Sequence, residues 1–231
     1  FRFVTAMQAV AMDNGNRQVL NALIRALDIS LENVPKLAGR TLVVVDTSGS
    51  MTQGDGKPAQ MAGLFAAALW RTNDCDMVTF ADKAVVPALI PGDSVRSLAK
   101  AIFDCNHGGT NLRAVFEWMQ KPYQRVVLLS DMQAWVGHDS PAPLWSAYKQ
   151  RTGCNPTMFS WDVSGYGTLQ FPERQVYALA GFSDRVFGLM QLLESDREAM
   201  IHAIETYQGP SAKADRTDNV EADESSDTTP V

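Results

Sequence analysis

Cysteine is scarce in this sequence, and the three that are present cannot all be paired with one another. Cys75, Cys105 and Cys154 show no C-x-x-C spacing. No N-x-S/T glycosylation acceptor occurs either, because Asn155 is followed by proline. These absences argue against a disulfide-stabilised secreted domain, so we expect a cytoplasmic protein whose cysteines are small buried or loop residues.

Long apolar runs are also missing. No stretch reaches the roughly 18 apolar residues of a membrane-spanning helix, and the start lacks the basic and then apolar segments of a signal peptide. We therefore expect no membrane partner. The sequence begins at Phe1 instead of methionine, which suggests a fragment or a processed chain whose first residues are the end of something larger.

Positive charge is too sparse for a nucleic-acid-binding surface. Of the formal net charge of −6, residues 211–231 carry −4, since they contain six acidic and two basic residues, and −2 is left for the rest. Their lack of large apolar side chains predicts a disordered acidic tail over residues 209–231, which favours a solvating segment over a partner-binding peptide. RNA-binding surfaces need basic residues to offset phosphate charge, so we expect this part alone to bind RNA poorly.

A cluster of polar side chains follows an uninterrupted apolar run. Residues 42–45 are mostly β-branched, which predicts a strand buried on both faces of a parallel sheet. The strand ends in Asp46, followed by Ser48 and Ser50. Ligand sites of open α/β sheets lie at the carboxyl ends of strands, and a carboxylate with two hydroxyls suits a hard cation such as Mg2+. The alternative is that Asp46 caps a helix and the serines satisfy turn backbone.

Two later loops add oxygen atoms of the same kind. Thr110 follows two glycines and precedes a helical pattern, where its hydroxyl is either a helix cap or a metal ligand. Asp131 follows a second buried-strand run at residues 126–129. The rim of this site is predicted to include His107, Gly109, Asp162 and Ser164. An ordinary glycine-rich loop is the alternative for the last two.

The order of predicted elements indicates an α/β fold. It reads β-α-β-β-α-α-β-α-β-β-α, which is typical of a doubly wound, mostly parallel sheet with helices on both faces. Residues 77–80 and 84–89 form the predicted hairpin, which gives one antiparallel edge strand. Ser183 or Asp184 is expected to cap the last helix, which runs towards Tyr207.

The chain divides into three predicted parts. Residues 1–38 form a helical segment, residues 39–208 the α/β domain and residues 209–231 the tail. Leucine and isoleucine recur at helical spacing over residues 17–31. That helix packs either against a preceding helical domain or on the sheet of the α/β domain, and the sequence does not distinguish the two.

These motifs resemble known families. D-x-S-x-S, a threonine loop and a strand-end aspartate are similar to the metal-ion-dependent adhesion site (MIDAS) of von Willebrand factor A domains, a Rossmann-like fold. Residues 26–46, Leu-Leu-Ser-Asp-Met-Gln at 128–133 and Gly-Phe-Ser-Asp-Arg-Val at 181–186 resemble bacterial Ro/TROVE proteins, the autoantigen family that binds small noncoding RNAs. The resemblance spans roughly residues 15–205 and implies five metal ligands: Asp46, Ser48, Ser50, Thr110 and Asp131.

The resemblance also implies partners. The metal, Mg2+ or alternatively Mn2+ or Ca2+, would leave a coordination position open for an acidic residue of a protein ligand. An upstream ring of helical repeats would hold noncoding or misfolded RNA, with the A domain closing the ring of a ribonucleoprotein in RNA quality control, sometimes with an exoribonuclease. The alternative is a stand-alone A domain that binds a protein through its metal.

We expect no enzymatic activity. Ser48 and Ser50 lie near His107 and His138 in the predicted topology, but their surroundings lack the G-x-S-x-G elbow and an identifiable acid partner. A phosphatase with Asp46 as nucleophile would want a second carboxylate where the two serines stand.

Overall fold

A computed structural model describes residues 2–13, 15–53, 56–133, 141–167, 170–181, 185–195 and 198–207 of the protein. The strands are β1 (Thr41–Asp46), β2 (Cys75–Phe80), β3 (Ala84–Val85), β4 (Arg125–Ser130), β5 (Thr157–Asp162) and β6 (Val176–Ala180). They form one sheet in the order β3-β2-β1-β4-β5-β6. Neighbouring strands run parallel except at the β2–β3 pair, which is antiparallel.

Helices cover both faces of this sheet. They are α1 (Arg2–Met12), α2 (Arg17–Ser30), α3 (Lys57–Thr72), α4 (Val95–Asp104), α5 (Arg113–Trp118), α6 (Pro141–Thr152), α7 (Arg185–Ser195) and α8 (Ala199–Glu205), with 3-10 turns at Leu31–Asn33 and Gly49–Thr52. Among the described helices, none is both long and apolar enough to cross a membrane.

The central strand β1 shows why a continuous apolar run is needed. All six of its residues are buried. Val43 and Val45 join the core that contains α3, α4 and α7, whereas Leu42 and Val44 join the core that contains α5 and α6. Alternate side chains of a strand point to opposite faces, so a strand covered on both faces carries no polar alternation.

The predicted doubly wound fold with one antiparallel edge strand is confirmed. Its edge strand is shorter than predicted, because β3 is only Ala84–Val85. Pro87 follows, and proline has no N–H to donate to a sheet. The predicted helix cap at Ser183 or Asp184, His138 and the predicted tail lie outside the described residues.

The two N-terminal helices pack on the α3–α4 layer. Leu27 and Leu31 belong to the same apolar cluster as Met61 of α3. The Asp28 carboxylate accepts hydrogen bonds from the Arg71 guanidinium at 2.6 Å and from the Val95 N–H at 3.0 Å, which joins α2 to α3 and to the start of α4. The division of the chain at residue 38 stays a prediction.

The linker, residues 35–40, is tied to the edge of the sheet where the strands begin. The Asn73 side chain accepts a hydrogen bond from the Leu37 N–H at 2.7 Å and donates to the Pro35 carbonyl at 3.2 Å. The buried Arg125 guanidinium donates to the Ala38 carbonyl at 3.2 Å and pairs with Glu194 of α7. The linker is therefore part of the packed structure.

Candidate metal centre

Two buried aspartates lie where the order of strands reverses. The chain passes from β1 to β2 on one side of the sheet, and β4 pairs with β1 on the other side. Asp46 ends β1 and Asp131 directly follows β4, with 0% and 1% of their surfaces exposed. Parallel strands place their carboxyl ends at one edge, and the reversal point is where open α/β sheets bind ligands.

Asp46 is held in place by hydrogen bonds from its neighbours. Its Oδ1 accepts from the Ser48 N–H at 2.9 Å, and its Oδ2 accepts from the Ser130 hydroxyl at 2.6 Å. Burial raises the pKa of Asp46 from 3.8 to about 6, the hydrogen bonds from Ser130 and Ser48 oppose that rise, and the charge of Asp131 adds to it. The surroundings of Asp46 therefore disfavour its ionised form.

Asp131 precedes a residue with an unusual backbone. The Asp131 Oδ1 accepts from the Gln133 N–H at 3.1 Å. Between them, Met132 has a φ of 58°, and it is the only residue other than glycine with positive φ among the described residues. Residues other than glycine rarely adopt this backbone conformation, and such strain often marks a functional site.

The two serines share one turn with Asp46. The hydroxyls of Ser48 and Ser50 lie 3.2 Å apart. Ser48 is buried and Ser50 is half-buried. Part of the turn alternative also holds, because Asp46 accepts the Ser48 N–H, yet its second oxygen contacts Ser130, outside the turn.

The loop that carries Thr110 is bonded to the serine turn. The Gly49 N–H donates to the Gly108 carbonyl at 3.0 Å, and the Asp82 Oδ1 accepts from the Gly109 N–H at 2.7 Å. Gly108 has a φ of 137°, and a Cβ there would lie 2.0 Å from the Asp82 Oδ2. Thr110 does not cap the next helix, since α5 begins at Arg113 with Leu112 in the cap position.

The predicted rim residues are placed differently from one another. His107 is exposed and its ring lies 5.3 Å from that of Phe103. The Asp162 carboxylate ends β5 and accepts from three N–H groups of its own loop, at Ser164, Gly165 and Gly167. This pattern favours the glycine-rich loop alternative for Asp162 and Ser164, and the rim assignment stays a prediction.

The donor atoms suit a hard divalent cation. Among the described residues, no ion pair involves Asp46 or Asp131, so two adjacent buried carboxylates have no basic side chain to balance them there. In the same part of the chain, no three His, Cys, Asp or Glu residues are grouped to hold a metal. The five predicted ligands would offer two carboxylates and three hydroxyls, and Mg2+, Mn2+ and Ca2+ prefer such oxygen atoms over the thiolates and imidazoles of zinc sites.

The sequence does not predict the roles of three residues that support this arrangement. Ser130 reads only as the end of a strand, although a polar residue just before Asp131, beside β1, is a usable signal. Met132 gives no sign of its positive φ. The Gln170 Nε2 donates to the Met132 carbonyl at 2.7 Å, and no local pattern announces that contact.

Comparisons with known proteins identify relatives of this chain. No protein-family model matches it. It is 28% identical over 151 residues to RNA-binding protein RO60 of Deinococcus radiodurans, a match that covers 61% of this chain and 28% of RO60. The crystal structure of the Deinococcus radiodurans RO (RSR) protein superimposes with a TM-score of 0.64 and 24% identity, over 75% of this chain and 38% of that one.

A third similarity is weaker. Proximal thread matrix protein 1 from the mussel byssus, with zinc in its MIDAS motif, has a TM-score of 0.44 and 19% identity, over 70% of this chain and 45% of that one, and a likeness at this level supports no inference about the site. The chain spans well under half the length of the Deinococcus proteins that it matches. The predicted resemblance to Ro proteins is confirmed, and the chain is a homologue of the bacterial Ro protein RO60.

Proposed function

We propose that this chain is the metal-binding A module of a Ro-like ribonucleoprotein that binds small noncoding or misfolded RNA. The observation that carries the proposal is the meeting of the buried Asp46 and Asp131 at the strand reversal, in a homologue of RO60. RO60 is named as an RNA-binding protein. The module adds a cation site to that assembly.

RNA is held mainly outside this module, in the upstream helical ring that the Ro resemblance implies. Residues 1–210 carry a formal net charge of only −2, with no excess of positive charge for phosphates. The chain also matches only 28% of RO60. An exoribonuclease is a further proposed partner, and we propose a cytoplasmic location, in keeping with the free cysteines.

Five side chains would hold the cation: Asp46, Ser48, Ser50, Thr110 and Asp131. Ser130 and the Ser48 N–H fix the Asp46 carboxylate before any ion arrives. Mg2+ fits this oxygen set, with Mn2+ and Ca2+ as alternatives. The bound ion supplies positive charge that attracts a carboxylate, so the proposed ligand of the open position is an acidic residue of a partner protein.

The proposed role is binding, not catalysis. The Ser48 hydroxyl contacts the Ser50 hydroxyl and the Asp46 carboxylate, and no histidine or lysine bonds to it among the described hydrogen bonds. The exposed His107 ring packs against Phe103 instead. Nucleophilic catalysis by serine would need a base within hydrogen-bond reach.

Replacing Asp131 with alanine tests the cation site. We expect Asp131→Ala to weaken Mg2+ binding at least about tenfold, as losses at metal sites do, while the protein stays folded. Isothermal titration with Mg2+ measures the affinity, and circular dichroism checks the fold. Asp104→Ala, which changes an exposed aspartate in α4, is the control and should bind Mg2+ as the unchanged chain does. Undiminished affinity in Asp131→Ala contradicts the assignment.

A pull-down of the full-length protein, with and without EDTA, separates the proposal from its alternative. The alternative is a stand-alone A domain that binds a protein through its metal, which the low positive charge favours. Small structured RNAs that stay bound in EDTA support the Ro-like role. Absence of RNA, together with a protein partner that EDTA releases, supports the stand-alone domain.

A further inference from the structure

A chain of hydrogen bonds runs from Gln170 to the candidate metal centre. The Gln170 Nε2 donates to the Met132 carbonyl at 2.7 Å, and the Met132 N–H donates to the Ser130 Oγ at 3.0 Å. The Ser130 hydroxyl then donates to the Asp46 Oδ2 at 2.6 Å. Asp131 lies between Ser130 and Met132 in the chain, so the same contacts fix the backbone on both sides of it.

Met132 needs such support because its backbone is in a disfavoured conformation. Its φ of 58° is left-handed, which costs energy for any residue with a Cβ. The side chain is buried, and the Ser160 hydroxyl lies 3.3 Å from its Sδ. The turn at Met132 also brings the Gln133 N–H to the Asp131 Oδ1. A loss of the anchor on Met132 would therefore change how Asp131 is aimed.

The Gln170 amide is only half satisfied. Its orientation is set by the Met132 carbonyl, which requires a donor, so the nitrogen faces that carbonyl. The other end, Oε1, is buried and has no hydrogen-bond partner in the described part of the chain, and the residue is 8% exposed. A buried oxygen without a partner reduces stability. The contribution of Gln170 thus lies in its donor to Met132.

We propose that Gln170 is a positioning residue of the cation site, which acts through Met132 and Ser130 to hold Asp131 and Asp46 in place. The inference rests on the proposed metal-binding function. Gln170 does not need to touch the ion, because residues behind the ligands set their orientation and hence the affinity for the metal.

Gln170→Leu and Gln170→Met test this role, since both fill similar space without a donor. We expect each to weaken Mg2+ binding about tenfold, in the range of losses from such supporting contacts. The midpoint of urea unfolding in EDTA should stay close to that of the unchanged chain, because the loss of the unpartnered Gln170 Oε1 offsets the Met132 carbonyl that is left without its donor. Isothermal titration with Mg2+ and urea unfolding are measured on the same preparations of the full chain.

Gln175→Leu is the matched control. Gln175 also has a buried Oε1 without a partner among the described residues. Its carbonyl accepts from the Met158 N–H at 2.9 Å, at the end of the sheet opposite the site. The control should leave Mg2+ affinity unchanged whatever it does to stability.

Each outcome decides the inference. Unchanged Mg2+ affinity in a folded Gln170 variant, with normal binding by the unchanged chain, overturns this role and leaves the proposed function standing. If Gln170→Leu does not fold, Gln170→Met decides. Equal losses of affinity in Gln170→Leu and Gln175→Leu indicate a general loss of structure and also overturn it. Absence of Mg2+ binding by the unchanged chain overturns both proposals.

Discussion

Asp46 is a fully buried carboxylate whose charge the fold disfavours, and Asp46→Asn tests the size of that penalty. Asparagine has nearly the same shape and is neutral at every pH. Its side-chain oxygen can accept the Ser48 N–H as Asp46 does. Its amide nitrogen would face the Ser130 hydroxyl, whose oxygen can accept as well as donate. The substitution therefore removes the charge with little change in packing.

The pKa of Asp46 gives the magnitude. A rise from 3.8 to about 6 corresponds to about 3 kcal/mol, at about 1.4 kcal/mol for each unit of pKa. The folded state binds the proton more tightly than the unfolded state does. This stability is thus fully present below the unfolded pKa of 3.8 and is lost as the pH rises through about 6. The asparagine variant loses none of it, because its side chain does not ionise.

We therefore expect Asp46→Asn to be more stable than the unchanged chain by up to about 3 kcal/mol above about pH 7, and nearly equal below about pH 4. Urea unfolding in EDTA across this range measures the difference, in which the titration of groups that do not interact with Asp46 cancels. Added Mg2+ should stabilise the unchanged chain and not the variant, because the ion favours the ionised carboxylate. A difference between the two chains that stays constant with pH would refute the reasoning.

Two further predictions concern the loop beside the site and the opposite end of the sheet. Gly108→Ala should lower the free energy of unfolding by about 1–3 kcal/mol and weaken Mg2+ binding, because the new Cβ collides with the Asp82 carboxylate between β2 and β3. Gly92→Ala, with a φ of 96° and open space around it, should show the backbone cost alone and leave the affinity unchanged. Glu194→Ala should cost about 3 kcal/mol in urea unfolding, because it leaves the Arg125 guanidinium buried and unpaired. Asp104→Ala, in an exposed pair, should cost less than about 0.5 kcal/mol, and an equal cost for the two would contradict the argument from burial.

The central strands were predictable because their environment leaves few choices. A strand that is covered on both faces is apolar throughout. Residues 42–45 and 126–129 have this pattern, which is typical of strands in the middle of an α/β sheet. Once both strands are central and parallel, the polar residues that follow them must meet at one edge. The position of Asp46 and Asp131 follows from that geometry.

The edge and the supporting contacts were less predictable. A sheet edge has one neighbour, so the apolar residues at 84–89 did not determine the length of β3, and Pro87 limits it. Asp162 resembled Asp46 in sequence, yet its carboxylate bonds its own loop, since the glycines there let three N–H groups converge on it. The contact between Gln170 and Met132 joins residues far apart in sequence, and no periodicity encodes such a contact.

The linker, through its contacts with Arg125 and Asn73, determines how the N-terminal helices are coupled to the candidate metal centre. Arg125 and Asn73 fasten the linker where β1 begins, and Asp46 stands where β1 ends. About 17 Å of extended strand separate the first and last residues of β1, at about 3.3 Å for each step. That strand is bonded to a neighbour on each side, so it acts as a rigid rod and not as a hinge. A partner that binds at Asp46 and Asp131 would therefore keep a nearly constant distance and orientation relative to α2.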